Sequence, residues 1–315
     1  MTAAVDGDDG IRPDQVGAEN PRRRPSKALA ALLYGGTAVA GLAAPAIKRR
    51  LSRRLPAPVA ELATMAGLIG AGWSTVVVAE RVRPFRREWN RAQGDVVTDA
   101  LDVGSSAVSA KVLGALVALP VTRAVTRRVR AGAGPIERLP LAARVVVTIN
   151  AVDLYHSVVH RLAHEWGPLW RLHAVHHSAP RLYWLNATRF HPVEMVMEGT
   201  AEAIVLAVLG AGEDTLLAHS VVRAIYGQIQ HGNVDLDSGV VNHVLATPER
   251  HRWHHSTVAA EGNTNYGAIV ATWDRLMGTD WLPADRPFDA DIGVGGDPDY
   301  PQGWVDQLAA PFVRG

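Results

Sequence analysis

Residues 160–177 read HRLAHEWGPLWRLHAVHH and contain five of the chain's 13 histidines. All 13 lie between His156 and His255. Because histidine is confined to this part of the chain, the pattern indicates a functional site rather than a histidine-rich composition in general. His160 and His164 are spaced i, i+4, and the HAVHH histidines at 173, 176 and 177 are spaced i, i+3, i+4. Residues at these spacings share one face of a helix. The stretch therefore predicts helices that present clustered imidazoles.

The same spacing returns downstream in HRWHH, residues 251–255, so that one HxxxH and two HxxHH motifs hold eight histidines. A single HxxxH is equally compatible with an ordinary core helix. Eight imidazoles in an apolar protein, however, would leave ring nitrogens without partners, which costs free energy, and a metal ion supplies such partners. Because eight nitrogens exceed the needs of one tetrahedral or octahedral ion, we predict two metal ions.

The chain has no cysteine, which excludes disulfides, thiolate zinc sites, iron–sulfur clusters and a cysteine nucleophile. The ligands must then be nitrogen or oxygen atoms. The Glu-x-x-His pairs of carboxylate-bridged di-iron bundles and the metalloprotease HExxH are both absent from the sequence. An all-imidazole set suits iron, zinc or copper, so the spacing leaves the ion open.

Apolar runs flanked by basic clusters indicate a membrane protein. The formal net charge of +1 does not indicate a nucleic-acid-binding protein. A membrane-spanning helix needs about 20 apolar residues, and the candidates are residues 28–47, 58–79, 103–121 and 139–159, with a polar-interrupted stretch at 195–222. Basic clusters follow each of the first three candidates, so the positive-inside rule does not fix the number of spans. An alanine-rich soluble helical core is the alternative.

We predict an all-α fold: an integral-membrane helical bundle with a histidine-rich dimetal site under a cytosolic cap of helices and loops. The expected divisions are a polar tail at 1–26, apolar helices at 27–138, a catalytic domain at 139–281 and a C-terminal cap at 282–315.

The ordered histidine motifs resemble those of the fatty acid hydroxylase superfamily, which includes the sterol desaturases. The resemblance extends through DLYHSVVHRLAHEWGPLWRLHAVHHSAPRLYWLNATRFHPVE, TPERHRWHHS and NTNYGAIVATWDRLMGT, and covers about residues 80–312. It implies a multi-pass membrane enzyme with two non-haem iron ions on the cytosolic side and O2 as co-substrate. Such an enzyme oxidises a C–H bond of a sterol, fatty acyl chain or related lipid, by hydroxylation or desaturation. The sequence contains no fingerprint for a fused reductase, so a separate electron donor is expected.

Carried over residue by residue, the resemblance implies nine metal ligands, of which His231 rests on the resemblance alone. These ligands are His160, His164, His173, His176, His177, His231, His251, His254 and His255. Four further residues are expected to support ligand imidazoles: His191, Asp153, Asn263 and Asn265.

Other residues near the motifs receive a weaker interpretation. Glu165, Glu194 and Glu249 also lie near ligands in the sequence, where a carboxylate can orient an imidazole. His156, His219 and His243 are predicted to be structural. The sequence indicates no catalytic residue beyond the ligands.

Three other functions compete with this hypothesis. An oxygenase of ether lipids or carotenoids would share the histidine-rich membrane site. A non-catalytic metal-binding membrane protein would hold the metal without turnover, and a soluble metallohydrolase would need no membrane. The substrate itself has no sequence signature, because each of these lipids requires only an apolar cavity.

Overall fold

The computed structural model describes residues 25–113, 120 and 134–314. Within these ranges every named element is a helix, and extended pairing is limited to isolated bridges, so the prediction of an all-α class is confirmed. Residues 1–24 of the predicted tail, residues 114–119 and 121 of the 103–121 segment and the basic residues at 123–130 lie outside the described residues.

The chain begins with two long apolar helices, α1 (Lys27–Leu51) and α2 (Ala57–Val82). Ser26 caps α1 by accepting a hydrogen bond from the Leu29 amide, and basic residues in its last turn complement the helix dipole. By length and composition both helices could cross a membrane. Several of their large apolar side chains point outward, among them Val39, which is 67% exposed, and Leu62, which is 65% exposed.

In the described residues the body of the molecule contains five more helices: α3 (Val96–Leu113), α4 (Leu141–Glu165), α5 (Gly167–His177), α6 (Pro192–Leu209) and α7 (Glu213–His231). The fourth apolar segment and the HxxxH motif thus form one continuous helix, α4. The 195–222 stretch becomes a helical pair that breaks at Gly210, whose φ of 68° favours glycine.

Helix α7 is the central element, because it packs against α1, α2 and α4. One glycine in α1 and one in α2 permit the close approach of these two helices to α7. A Cβ at Gly41 would lie 2.4 Å from Val222 Cγ2, and a Cβ at Gly72 would lie 2.7 Å from Ile225 Cγ1. Val76 and Val221 are fully buried in the apolar cluster between these helices.

The remaining helices are short and are joined by irregular segments: α8 (Pro248–His254), α9 (Ala259–Gly262), α10 (Thr272–Met277) and α11 (Trp304–Val313). Helix α8 packs on α7, α10 on α4 and α11 on α5. Helices α4, α5 and α7 all carry histidines. The C-terminal helices that pack on them therefore lie against the histidine-bearing part of the molecule. The domain divisions predicted from sequence stay predictions.

Candidate metal centre

The structure brings nine histidines into two groups, within each of which the candidate ligand atoms lie within 4.8 Å of one another. The first histidine group comprises His160, His164, His173, His177 and His254. The second histidine group comprises His176, His231, His251 and His255. These are the nine residues selected from the sequence, although their binding of metal stays a prediction.

The two HxxHH motifs are divided between the groups in the same way. In α5 the i and i+4 members, His173 and His177, join the first group, and the i+3 member joins the second. In the 251–255 motif the i and i+4 members, His251 and His255, join the second group, and the i+3 member joins the first. Each motif therefore contributes to both groups, which the sequence spacing alone does not indicate.

Within each group the Nε2 atoms converge. His160 Nε2 lies 2.9 Å from His173 Nε2, and His251 Nε2 lies 2.8 Å from His231 Nε2 and 3.0 Å from His255 Nε2. The Nε2 atoms of His164, His177 and His254 are buried and have no hydrogen-bond partner among the described residues. Leaving such an atom unpaired costs about 1–3 kcal/mol. A metal ion at the centre of each group would pair these nitrogens, so the donor set fits a metal.

In six of the nine histidines the other ring nitrogen, Nδ1, donates a hydrogen bond to an acceptor in the protein. Three donate to backbone carbonyls: His160 to Tyr266 at 2.8 Å, His176 to Arg189 at 3.1 Å and His254 to Thr264 at 2.8 Å. Three donate to side chains: His164 to Asn263 at 3.0 Å, His173 to Glu194 at 2.6 Å and His231 to Asn186 at 3.0 Å. A proton fixed on Nδ1 leaves the Nε2 lone pair directed at the group centre.

Burial keeps these imidazoles neutral. It lowers the pKa of His164 to about 4 and that of His231 to about 3. The pKa values of the remaining seven are also lowered well below the ordinary value, first by burial and then by neighbouring histidines. At neutral pH the rings are therefore unprotonated at Nε2, which is the state that binds a metal.

Of the predicted supporting residues, Asn263 is the one that contacts a histidine of the two groups directly, through its bond to His164. Glu194, which sequence proximity also indicated, bonds to His173. Asn186 and the three carbonyl partners were missed. A backbone carbonyl has no side-chain signature, and Asn186 lies 45 positions before His231 in the chain.

The other three supporting candidates lie further from the histidines. Asp153 accepts the Ile269 and Val270 amides, and Asn265 bonds to Arg250 and Trp281. His191 caps α6 by accepting the Val193 amide and contacts the Leu308 carbonyl. Within the described part of the chain, none of the three has a hydrogen bond to the two histidine groups.

The three histidines predicted to be structural lie outside both groups. His156 Nδ1 lies 3.0 Å from Glu198 Oε2, while His219 bonds to Thr148 and Glu202. His243 lies in a short 3-10 turn, where its backbone carbonyl accepts from Arg275.

A cavity of about 510 Å³ opens beside the first histidine group. His160 and His173 form part of its wall, and aliphatic side chains such as Leu169, Leu172 and Met195 form much of the rest. A smaller cavity of about 150 Å³ borders the second group at His176 and His231. The site thus combines two imidazole groups with an apolar chamber of the size that accepts a small ligand or part of a lipid.

Comparison with known proteins identifies the family of this chain. A model of the fatty acid hydroxylase family matches residues 145–279. An ornithine lipid hydroxylase of Rhizobium tropici is 34% identical over 244 residues, which are 76% of this chain and 72% of the relative. The chain therefore belongs to the fatty acid hydroxylase family, as the motif resemblance predicted.

Two further relatives match a smaller part of the chain. An alkylglycerol monooxygenase of Caenorhabditis elegans is 28% identical over 140 residues, 44% of this chain and 27% of the relative. Methylsterol monooxygenase 1 of Rattus norvegicus is 28% identical over 150 residues, 46% of this chain and 50% of the relative. No solved structure matches the chain.

Proposed function

We propose that this protein is a membrane-bound, non-haem di-iron enzyme that uses O2 to hydroxylate a lipid. The observation that carries the proposal is the convergence of nine neutral imidazoles into two groups beside an apolar cavity. The family membership and the names of the relatives, which are hydroxylases and monooxygenases, support oxidation chemistry.

The membrane part of the proposal rests on α1 and α2. A helix of a soluble core buries its apolar face, whereas Val39 and Leu62 are largely exposed. Lipid tails would cover these side chains. Isolated bridges join Ser26 to Leu236 and Pro84 to Val234, so one end of the α1–α2 pair adjoins the segment that follows His231. We place this histidine-bearing end on the cytosolic side, as the motif resemblance implies. Basic residues lie at both ends of the helix pair, at 48–54 and at 81–91, so the positive-inside rule does not set the orientation.

The chain's residues would hold the metals, position the lipid and exclude water. Two bound iron ions would supply the activation of O2 and the oxidation of a C–H bond, with electrons from a separate donor protein. The aliphatic wall at Leu169, Leu172 and Met195 holds an alkyl chain against the His160–His173 side of the first group. An aliphatic wall of this kind would limit the access of water to the bound alkyl chain.

The first substrate class to test is an amino-acid-bearing membrane lipid, because the ornithine lipid hydroxylase matches three quarters of the chain. An ether lipid is the second candidate. Alkylglycerol monooxygenases of Caenorhabditis elegans and Danio rerio match the chain over 140 and 128 residues.

The deciding experiment measures metal content and O2 use on full-length protein in mild detergent. We expect about two iron ions per chain and, after anaerobic reduction, lipid-dependent O2 consumption with a hydroxylated product. His176→Ala and His255→Ala should lower metal content and abolish turnover, while His243→Ala, a histidine outside both groups, should do neither. Bound metal without O2 consumption would favour the non-catalytic metal-binding alternative. Redox-silent zinc that iron cannot replace would contradict the oxidation chemistry.

A further inference from the structure

Phe190 lies between the two histidine groups, in the short segment that joins Thr188 to α6. Its ring is stacked on His176 of the second histidine group, with the ring centroids 4.1 Å apart and an angle of 11° between the planes. The centroid of the same ring lies 6.3 Å from that of His173, a member of the first histidine group. One aromatic side chain is therefore next to both groups.

Phe190 also borders both cavities. Among the described residues, five line the larger and the smaller cavity alike: His156, His160, His173, Phe190 and Arg223. The two cavities are therefore neighbours that share part of their walls. Of the five shared residues, Phe190 alone is apolar, so it is the side chain at this boundary that an alkyl chain would meet.

The two cavities differ in size and in the histidines that they reach. The larger cavity, of about 510 Å³, is lined by His160 and His173 of the first histidine group. The smaller cavity, of about 150 Å³, is lined by members of both groups. Four small residues form much of the rest of its wall: Ala187, Gly227, Gly267 and Ala268. An alkyl chain that passed Phe190 would enter a narrow space in front of both groups.

The backbone on each side of Phe190 is held in place. Arg189 is paired with Asp99 at 2.6 Å, and its carbonyl accepts from His176 Nδ1 at 3.1 Å. On the other side, His191 caps the start of α6. A ring between two fixed neighbours that also packs on an imidazole has little freedom to leave its position. The boundary between the cavities is therefore preformed.

We propose that Phe190 is a specificity-determining residue that stops the alkyl chain of the substrate at the boundary of the smaller cavity. This inference rests on the proposed function, in which the larger cavity holds the alkyl chain, and it specifies how much of the chain the site admits. The chain then approaches the first histidine group, from the His160–His173 side, and stays out of the smaller cavity. Because each buried methylene group strengthens binding, the residue that ends the cavity decides which chain length binds best.

Gly227 allows the boundary to be tested from its other side. It lines the smaller cavity and not the larger one, and a Cβ at this position would meet no heavy atom within 4 Å. The side chain of Gly227→Leu therefore has room to extend into the smaller cavity, and leucine is also a better helix former than glycine. If Phe190 keeps the alkyl chain out of this cavity, filling the cavity leaves binding of the chain unchanged.

The test measures binding without turnover on the metal-loaded, full-length protein in one neutral detergent. The probes are the straight-chain alcohols from decanol to octadecanol. For each probe the affinity of a variant is divided by that of the unmodified protein, so that partition of the probe into detergent cancels. Phe190→Ala should leave this ratio unchanged for the shortest probe and raise it about tenfold for the longest, because additional methylene groups become buried in the smaller cavity. Phe190→Leu should give a smaller rise.

Two further variants complete the design. Gly227→Leu alone should leave all affinities unchanged, and when added to Phe190→Ala it should abolish the gain for the long probes. Phe312→Ala is the matched control, because Phe312 is 72% exposed and lines neither cavity. It should leave every affinity unchanged. Metal content is measured on each variant to show that the histidine groups are intact.

Two results would overturn the inference. The first is a ratio that does not change with chain length in a Phe190→Ala or Phe190→Leu protein of normal metal content. The second is weaker binding of the long alcohols by Gly227→Leu alone, since the chain would then already occupy the smaller cavity. This second measurement keeps Phe190 in place, so it decides the matter even where loss of the ring beside His176 lowers the metal content.

The two proposals fail in distinguishable ways. A protein whose Phe190→Ala variant gains affinity for long alcohols, and that consumes no O2 with any lipid, contradicts the proposed function. A protein that hydroxylates lipids, and whose Phe190 variants bind every chain length as the unmodified protein does, contradicts the role of Phe190 alone.

Discussion

At the scale of single residues, the site depends on which ring nitrogen of each histidine carries the proton. Six Nδ1 atoms donate to fixed acceptors, so their Nε2 atoms are free to face the group centres. A free imidazole interconverts between two tautomers. A hydrogen bond donated by Nδ1 stabilises the tautomer whose Nε2 carries no proton and can bind a metal. The acceptors therefore contribute to metal affinity without touching the metal.

Asn263 offers the cleanest test of this idea, since it is exposed and its replacement should leave the fold intact. Asn263→Ala removes the acceptor for His164 Nδ1. We expect the affinity for one of the two metal ions to fall by about 10–100-fold, the usual effect of losing such a partner. Competition against a chelator of known affinity measures it.

The control for this prediction is Asn150→Ala, whose side chain donates to the Val146 carbonyl on α4. This variant should change the affinity for neither metal ion. If Asn263→Ala kept the affinity of the unmodified protein for both ions, the hydrogen bond to His164 would have no part in ligand positioning.

At the scale of elements, the segment between α5 and α6 is fixed by buried ion pairs. Arg181 pairs with Asp95, and Arg189 pairs with Asp99 at 2.6 Å near the start of α3. This segment presents the Arg189 carbonyl to His176 and the Asn186 side chain to His231. Helix α3 contains none of the nine histidines, yet it holds the acceptors of the second histidine group.

Breaking one of these pairs should destabilise the protein strongly. Asp99 and Arg189 are fully buried, and Asp99→Ala leaves an uncompensated guanidinium, which costs about 3–5 kcal/mol. We expect a large fall in the Tm of the detergent-solubilised protein. Asp214→Ala breaks the exposed pair with Arg49 and should cost less than about 1 kcal/mol. Equal Tm changes in the two variants would contradict the structural role of the buried pair.

The outward-facing side chains of α1 give a second prediction at this scale. Val39→Arg places a charge on the surface that we assign to lipid, and insertion scales set its cost at about 2.5–3.5 kcal/mol near the helix centre. We expect less of the variant to remain in alkali-washed membranes. Val39→Leu should remain as the unmodified protein does. Release of all three from membranes by the wash would contradict the membrane assignment.

At the scale of the whole molecule, the sequence predicted which histidines come together better than how they are arranged. Histidine spacing selected eight of the nine residues, because an i, i+4 relation brings side chains together on any helix, and the family resemblance added His231. It did not show that each HxxHH motif serves both groups, because that division depends on how α5 and α8 lie between α4 and α7. The acceptors of Nδ1 were mostly missed as well, since carbonyls such as those of Tyr266 and Thr264 depend on tertiary folding.

The pH dependence of stability is also a property of the whole molecule, because it sums over the buried titratable groups. An unfolded histidine has a pKa of about 6.5, and burial lowers the pKa of His164 to about 4. As pH falls from 7 to 5, the unfolded metal-free chain takes up a proton there that the folded chain does not. This histidine therefore lowers stability as the solution is acidified, by roughly 2 kcal/mol at pH 5.

Buried acids act in the opposite direction, since burial raises the pKa of Asp102 to about 7. The folded chain then binds a proton at pH 5 to 7 that the unfolded chain lacks, and this gain offsets part of the loss.

A comparison between variants isolates the histidine. We expect the Tm of metal-free His164→Gln to fall less between pH 7 and pH 5 than that of the metal-free unmodified protein, because glutamine binds no proton in either state. His243→Gln, outside both groups, should follow the unmodified protein. Parallel Tm curves for all three proteins would mean that His164 titrates alike in the folded and unfolded chains, and that the first histidine group is open to water.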